Sequence, residues 1–226
     1  MKNITAASPT FRNLPEQKRQ AISRELVREF AANGYKKASI NTIVGNLGIA
    51  KGSLYQYFRN KEAMFYFVFE QFTRLVKESV RQGAAEQGSG DFFHQVRQVM
   101  AAALSFVDRY PDYFQIYLRI LFENDVPNRE KLLARVRLFS REYFGPLCRE
   151  AGKRKELRND VSPEMMIFIL DGVIDRLLRD YVEPAGNDRG LELKKMSRGQ
   201  RDEKLNEIIT ILKDGFRGIK KGKQHG

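Results

Sequence analysis

An all-α fold is predicted by three observations. Apolar residues recur at three- and four-residue spacings along most of the 226-residue chain. Strand-like alternation persists nowhere, and helix start and stop signals punctuate the sequence at Gly34, Ser39, Gly48, Asn60 and Ser162-Pro163-Glu164. The organisation expected is an N-terminal three-helix domain with a helix-turn-helix over residues 13–60, then a larger helical domain over 61–220.

Asn13-Leu14-Pro15-Glu16 resembles a capping box and opens a first helix with Ile22, Leu26, Val27 and Phe30 on one face, ended by Gly34. Ser39 caps a second, whose inward stripe is Ile40, Ile43, Val44 and Leu47. Gly48 supplies the positive φ that a tight inter-helix turn needs, and a third helix follows over residues 51–58. Ile49 and Leu54 close over the stripe, which turns Lys51, Gly52, Ser53, Tyr55, Gln56 and Tyr57 outward. No carboxylate occurs from Ser39 to Asn60, whereas a merely solvated face mixes signs. Such a pair also serves as plain core in many helical proteins; the cationic, carboxylate-free face favours a DNA groove.

Asn60 caps a helix of about 20 residues carrying Met64, Phe65, Val68, Phe72, Leu75, Val76 and Val80, and residues 83–90 break it. Phe92, Phe93, Val96, Val99, Met100, Ala103, Leu104 and Val107 mark the next, and Pro111 opens another with Phe114, Ile116, Ile120 and Leu121. A long helix runs from Leu132 through Leu147 with Gly145-Pro146 expected to kink it, and a charged linker covers 152–160. Residues 165–182 are apolar on more than one side, so they need two covering surfaces. Residues 183–201 read as a mobile loop, 205–219 as a final amphipathic helix and the lysine-rich end as a disordered tail.

The net charge of +12 and pI near 9.8 imply a polyanionic partner. Residues 1–61 hold Lys2, Arg12, Lys18, Arg19, Arg24, Arg28, Lys36, Lys37, Lys51, Arg59 and Lys61 against Glu16, Glu25 and Glu29. Cys148 is the only cysteine, which excludes an intramolecular disulfide and suits a reducing, cytoplasmic setting. The N-terminus has no apolar core of signal-peptide type, and no apolar run reaches membrane-spanning length. The only histidines are His94 and His225. Metal-ligand spacing, nucleophile elbow, P-loop and dinucleotide fingerprint are all missing, so no catalytic residue, metal or cofactor is expected. Asp171 and Asp175, at i, i+4, sit beside Arg176 and Arg179 and read as an ion-pair cluster.

From Gln17 to about Val68 the sequence resembles the DNA-binding domain of the tetracycline-repressor (TetR) family. The carrying residues are Ala21, Phe30, Gly34-Tyr35, Ser39, Ile43, Gly48-Ile49, the run Lys51-Gly52-Ser53-Leu54-Tyr55-Gln56-Tyr57-Phe58, and Lys61-Glu62. Ala50 stands where the family usually has a serine or threonine cap, and Val44 where it has a small alanine. The resemblance implies a homodimeric repressor on a palindromic double-stranded operator, with a C-terminal helical ligand-binding and dimerisation domain. Lys51, Tyr55, Tyr57 and Lys61 are expected on phosphates, Gly52, Ser53 and Gln56 near base edges, and Ser39 and Thr42 at the backbone. Met166, Leu170, Gly172, Val173, Leu177, Ile208 and Leu212 are the expected subunit interface. Phe93, Tyr113, Tyr117, Phe139, Tyr143 and Phe168, with His94 or Arg119 as polar anchors, are candidates to line a site for a small lipophilic or aromatic effector. Packed core is the competing reading for each of these aromatics. A constitutive DNA-binding regulator is the alternative to an effector-released one, and an enzyme or carrier with a vestigial helix-turn-helix is the third class.

Overall fold

The computed structural model describes residues 6–86, 90–182 and 191–216, apart from the side chains of 83–86 and of Phe139. In chain order the helices are α1 (Pro9–Arg12), α2 (Glu16–Lys37), α3 (Ile40–Leu47), α4 (Lys51–Tyr57), α5 (Lys61–Glu86), α6 (Phe92–Arg109), α7 (Pro111–Phe122), α8 (Arg129–Lys153), α9 (Pro163–Val182) and α10 (Arg198–Phe216), with a short 3₁₀ turn at Leu193–Lys195. The all-α prediction holds, and the described residues contain no strand.

Most of the expected caps form. Ser39 Oγ accepts from the Thr42 amide at 3.2 Å, Asn60 Oδ1 from Ala63 at 2.8 Å and Ser162 Oγ from Met165 at 3.2 Å. Gly48 is left-handed at φ 62°, and Gly34 bends the end of α2 at φ 67°. The capping box at Asn13 does not form: Asn13 ends α1, and Pro15 begins α2 with no side-chain cap. The Ser-Pro signal that starts α9 also occurs at Ser8-Pro9, where it starts the unpredicted α1. Helix α8 runs on through Pro146. Residues 191–201 are ordered rather than loop-like: Leu193 is fully buried and α10 begins at Arg198. The expectations for residues 183–190 and for the tail after Phe216 lie outside the described residues.

Contacts divide the chain into two compact units, residues 1–77 with 109–135, and 78–108 with 136–226. This division does not fall at the expected 60/61 boundary, because α7 packs on α2. In the first unit Ile22, Leu26, Phe30, Ile43, Leu54, Phe58, Phe65 and Phe69 form a closed core. Each such side chain contributes about 1.5–3 kcal/mol of apolar burial. Arg119 of α7 donates from Nε to Ala31 O at 2.7 Å and from Nη2 to Ala32 O at 2.6 Å, and pairs with Glu123. Those carbonyls are near the end of α2, where the bend at Gly34 interrupts regular helical bonding. A side chain at Gly34 would collide with Glu123 Oε2.

In the second unit Phe92, Val96, Met100, Phe144, Cys148, Met166, Leu170, Leu177, Leu205 and Leu212 are buried. A polar cluster ties its helices. The Tyr181 hydroxyl donates to Asp108 Oδ1 at 2.7 Å and accepts from Arg201 Nη1 at 2.7 Å. Arg97 reaches Asp202 Oδ1 at 2.9 Å and Asn206 Oδ1 at 2.6 Å. Burial raises the Cys148 thiol to about 11, which makes it a small apolar residue rather than a reactive one.

Candidate nucleic-acid interface

Helix α4 is anchored by Leu54, which is fully buried, and by Tyr57 at its end, while Lys51, Gly52, Tyr55 and Gln56 are exposed and Ser53 is half-buried. Helix α3 contributes exposed Asn41, Thr42, Gly45 and Asn46, and Ser39 is half-buried at its start. The two cross at the Gly48 turn, where the Gly48 amide donates to Gly45 O at 3.2 Å and Ile49 to Val44 O at 3.1 Å. Buried Glu29 sets the position of α3. Its Oε1 accepts from the Ser39 amide at 2.7 Å and from Asn33 Nδ2 at 3.0 Å. Glu25 accepts from Asn46 Nδ2 at 2.6 Å and from Arg28 at 2.8 Å, so α3 is tied to α2 at both ends. Ala50 gives α4 no side-chain cap.

Two residues expected on phosphates lie elsewhere. Tyr57 is 5% exposed, covered by Phe11 with ring centroids 6.1 Å apart. Lys61 Nζ donates to Ala38 O at 2.6 Å and to Lys36 O at 3.0 Å, and sits 5.3 Å above the Tyr35 ring. It closes the carbonyl end of α2, and burial holds its ammonium below the usual lysine range, against the opposing pull of Glu29 and Asp125. Sequence reasoning missed α1 altogether. The Ser8 amide donates to Tyr57 O at 2.9 Å and Ser8 Oγ to Gln56 O at 2.9 Å, so α1 satisfies the carbonyl end of α4. Phe11 is 3% exposed and meets Phe58 and Phe67 at centroid distances of 4.9 and 5.0 Å.

The residues expected at an effector site are not gathered in one unit. Tyr113 and Tyr117 belong to the first, and Phe93, His94, Tyr143 and Phe168 to the second; the Phe139 side chain is outside the described residues. Tyr113 donates to Gln71 Oε1 at 2.6 Å, and Tyr117 stacks on Phe72 at 5.6 Å. Phe93 is buried against Phe92 with Lys213 Nζ 5.8 Å above its ring, and Tyr143 packs edge-on to Phe144. Phe168 is 73% exposed, so it lines no enclosed site within its chain. Arg119 braces α2 instead of serving as an anchor.

The expected interface also needs revision. Met166, Leu170, Leu177 and Leu212 are buried within one chain and have no area left to bury against another. Gly172 is exposed, Val173 and Ile208 are half-buried, and on α9 and α10 the large apolar side chains that face outward are Met165, Phe168 and Ile211. Among the described residues no group of His, Cys, Asp or Glu is placed to hold a metal ion, and no helix is long and apolar enough to cross a membrane.

Residues 23–66, which span most of α2, all of α3 and α4 and the start of α5, match the family model described as bacterial regulatory proteins of the tetR family. A TetR-family transcriptional regulator from Chloroflexus aurantiacus J-10-fl superimposes with a TM-score of 0.74 at 28% identity, covering 94% of this chain and 99% of that one. The Escherichia coli K12 protein named "Probable acrEF/envCD operon repressor" is 22% identical over 203 residues, 86% of this chain and 90% of its own length. The Bacillus subtilis regulator FadR, solved with stearoyl-CoA, shares the fold with a TM-score of 0.67 at 15% identity, over 87% of this chain and 98% of its own. The helix-turn-helix, its carboxylate-free outer face and the helical second unit agree with these likenesses: residues 23–66 form a helix-turn-helix domain of the tetR-family kind, and over most of its length the chain is similar to TetR-family transcriptional regulators.

Proposed function

We propose that the protein is a cytoplasmic, homodimeric repressor that places α4 of each subunit in the major groove of one half of a palindromic operator and is released by a small lipophilic or aromatic effector. The observation that carries the DNA reading is the outer face of α4, where Lys51, Gly52, Tyr55 and Gln56 are exposed without a neighbouring carboxylate. Lys51 and Tyr55 suit phosphates. Gln56 can pair with both edge atoms of an adenine, and Gly52 lets the backbone approach the bases. Ser53, Ser39 and Thr42 flank this contact. The term repressor rests on the name of the Escherichia coli relative.

A dimer is supported by Met165 and Phe168 on α9 and Ile211 on α10, which are 50%, 73% and 72% exposed. Exposed large apolar side chains on the two helices that close the second unit are best covered by the same surface of a second copy. Gly172 is exposed on α9 beside them and permits close approach. The two α4 helices then need a separation of roughly 34–36 Å on the DNA.

The effector reading draws on Gln98 of α6. The residue is 4% exposed; Nε2 donates to His94 Nε2 at 2.7 Å, and the carbonyl Oε1 has no partner among the described residues. A buried carbonyl without a donor is costly, and a ligand hydroxyl or amide would satisfy it.

Selection of duplexes from a random pool, followed by anisotropy titration of the winner, tests the DNA reading. Gln56→Ala is expected to relax preference at one base pair by about 1–3 kcal/mol. Failure of the wild-type chain to enrich any duplex overturns the reading.

A further inference from the structure

The first unit contains an open cleft of about 910 Å³ bounded by α1, α2, α5 and the start of α7. Its volume is that of a small-molecule site rather than of a packing gap. Phe11, Val27, Phe67 and Leu75 supply apolar wall.

The charges lining the cleft are unevenly matched. Each carboxylate has an arginine: Glu16 pairs with Arg19, and Glu70 has Arg135 at 3.9 Å. Arg12, Arg24 and Arg74 also line the cleft, all exposed, and no carboxylate among the described residues holds them. The floor is a hydrogen-bonded chain in which the Tyr113 hydroxyl donates to Gln71 Oε1 at 2.6 Å and Gln71 Nε2 donates to Ser23 Oγ at 3.4 Å. The Ser23 hydroxyl proton is left for a further acceptor. Burial raises Tyr113 to about 12, so it stays a neutral donor in this chain.

We infer that this cleft is a second regulatory site, in the DNA-binding unit itself, for an amphipathic organic anion: a carboxylate, sulfonate or phosphate ester on an aromatic or acyl body. Arg24 and Arg74 hold the anionic group beside the Ser23 hydroxyl, and the apolar wall takes the body. Phe11 connects the site to α4. Phe11 is among the residues that line the cleft, its ring packs on Tyr57 and Phe58, and Ser8, three residues before it, holds the carbonyls of Gln56 and Tyr57. An anion that binds more tightly to one placement of Phe11 therefore shifts the pose of Gln56. This inference rests on the DNA reading of α4 but uses neither the proposed effector anchor at Gln98 nor the subunit interface.

The test is a fluorescence titration of the full-length protein with 8-anilino-1-naphthalenesulfonate, with inorganic phosphate as the bare-anion control, alongside anisotropy with the selected duplex. The Arg24→Ala/Arg74→Ala double variant is expected to weaken sulfonate binding about tenfold or more, with little change from phosphate in either protein. In the wild type the sulfonate is expected to change operator affinity several-fold. In Phe11→Ala it still binds, but that change is lost. Both arginines are exposed, so the double variant keeps its fold. Sulfonate binding unchanged in the double variant overturns the site. So does a fall in its DNA affinity with a salt slope flatter by about two, because the arginines then serve phosphates of DNA. If the wild type selects no duplex, the DNA reading fails while the sulfonate titration still decides the cleft.

Discussion

The helix-turn-helix and the α9–α10 pair carry apolar residues at the same helical spacing, yet they read very differently. In α3–α4 the apolar stripe has one destination: Ile43 and Leu54 are fully buried in the core of their own unit, with Ile40, Val44 and Leu47 half-buried beside them. In α9 two apolar faces compete. Leu170 is 0% exposed and Phe168, two residues earlier, is 73% exposed. Periodicity identifies a helix and its apolar sides; it does not say which side belongs to the same chain and which to a partner.

The sharpest break of that comparison is a pair of identical substitutions. Leu170→Asp buries a carboxylate with no partner and is expected to unfold the second unit, a loss of more than about 4 kcal/mol. Phe168→Asp is expected to leave the fold intact and to halve the sedimenting mass, because that side chain faces outward. Circular dichroism and sedimentation velocity separate the two outcomes. A dimeric Phe168→Asp variant removes this face from the subunit interface.

The caps at Ser39, Asn60 and Ser162, the left-handed Gly48 and the burial of Leu54 were legible because each is settled within one turn of its own helix. Lys61 and Tyr57 were misplaced because their partners are distant in sequence. Ala38 and Lys36 supply the carbonyls for one, and Phe11 supplies the cover for the other. Met166, Leu170 and Leu177 follow a stripe that α9 turns into its own core. The signal for α1 was present at Ser8-Pro9, but a four-residue helix has no periodicity to draw attention to it.

Two glycines sharpen the distinction between local and long-range constraints. Gly48 needs its positive φ and has open space around its Cβ direction, so Gly48→Ala is expected to cost about 1–2 kcal/mol. Gly34 has a similar φ and also faces the Arg119–Glu123 pair, so Gly34→Ala is expected to cost about 2–4 kcal/mol through the added displacement of that pair. Thermal melts of the two variants check the order. Equal losses would mean that the pair moves aside freely.

A smaller effect distinguishes the two lysines of the DNA-binding unit. Lys51 is exposed on α4, and Lys51→Ala is expected to flatten the dependence of DNA affinity on salt by about one unit. Lys61 is held on the carbonyls of Lys36 and Ala38, and Lys61→Ala is expected to lower stability by about 1 kcal/mol with the salt slope unchanged. A flatter slope for Lys61→Ala would return that residue to the phosphate contacts.

The smallest expected effect appears at alkaline pH and compares the two units directly. Tyr113 in the first unit and Tyr181 in the second are both raised from 10.0 to about 12. Burial is the main cause for each. Arg74 offsets part of it at Tyr113; at Tyr181 the Asp108 carboxylate adds to it, while Arg201 opposes. Both phenols therefore keep their protons in the folded chain after the unfolded chain has released them. Between about pH 10 and 12 the unfolded state binds fewer protons, so stability falls as pH rises. Urea midpoints at about pH 9 and about pH 11 are expected to drop for the wild type and to drop less for Tyr113→Phe and Tyr181→Phe. The two variants differ in what they expose. Tyr113→Phe strands only Gln71 Oε1, whereas Tyr181→Phe leaves Asp108 and Arg201 to pair directly across the 3.5 Å that already separates them. Tyr181→Phe is therefore expected to keep more of its stability at about pH 9 than loss of a buried hydrogen-bonded hydroxyl would suggest. An alkaline drop identical in all three proteins would place the titrating groups elsewhere in the chain.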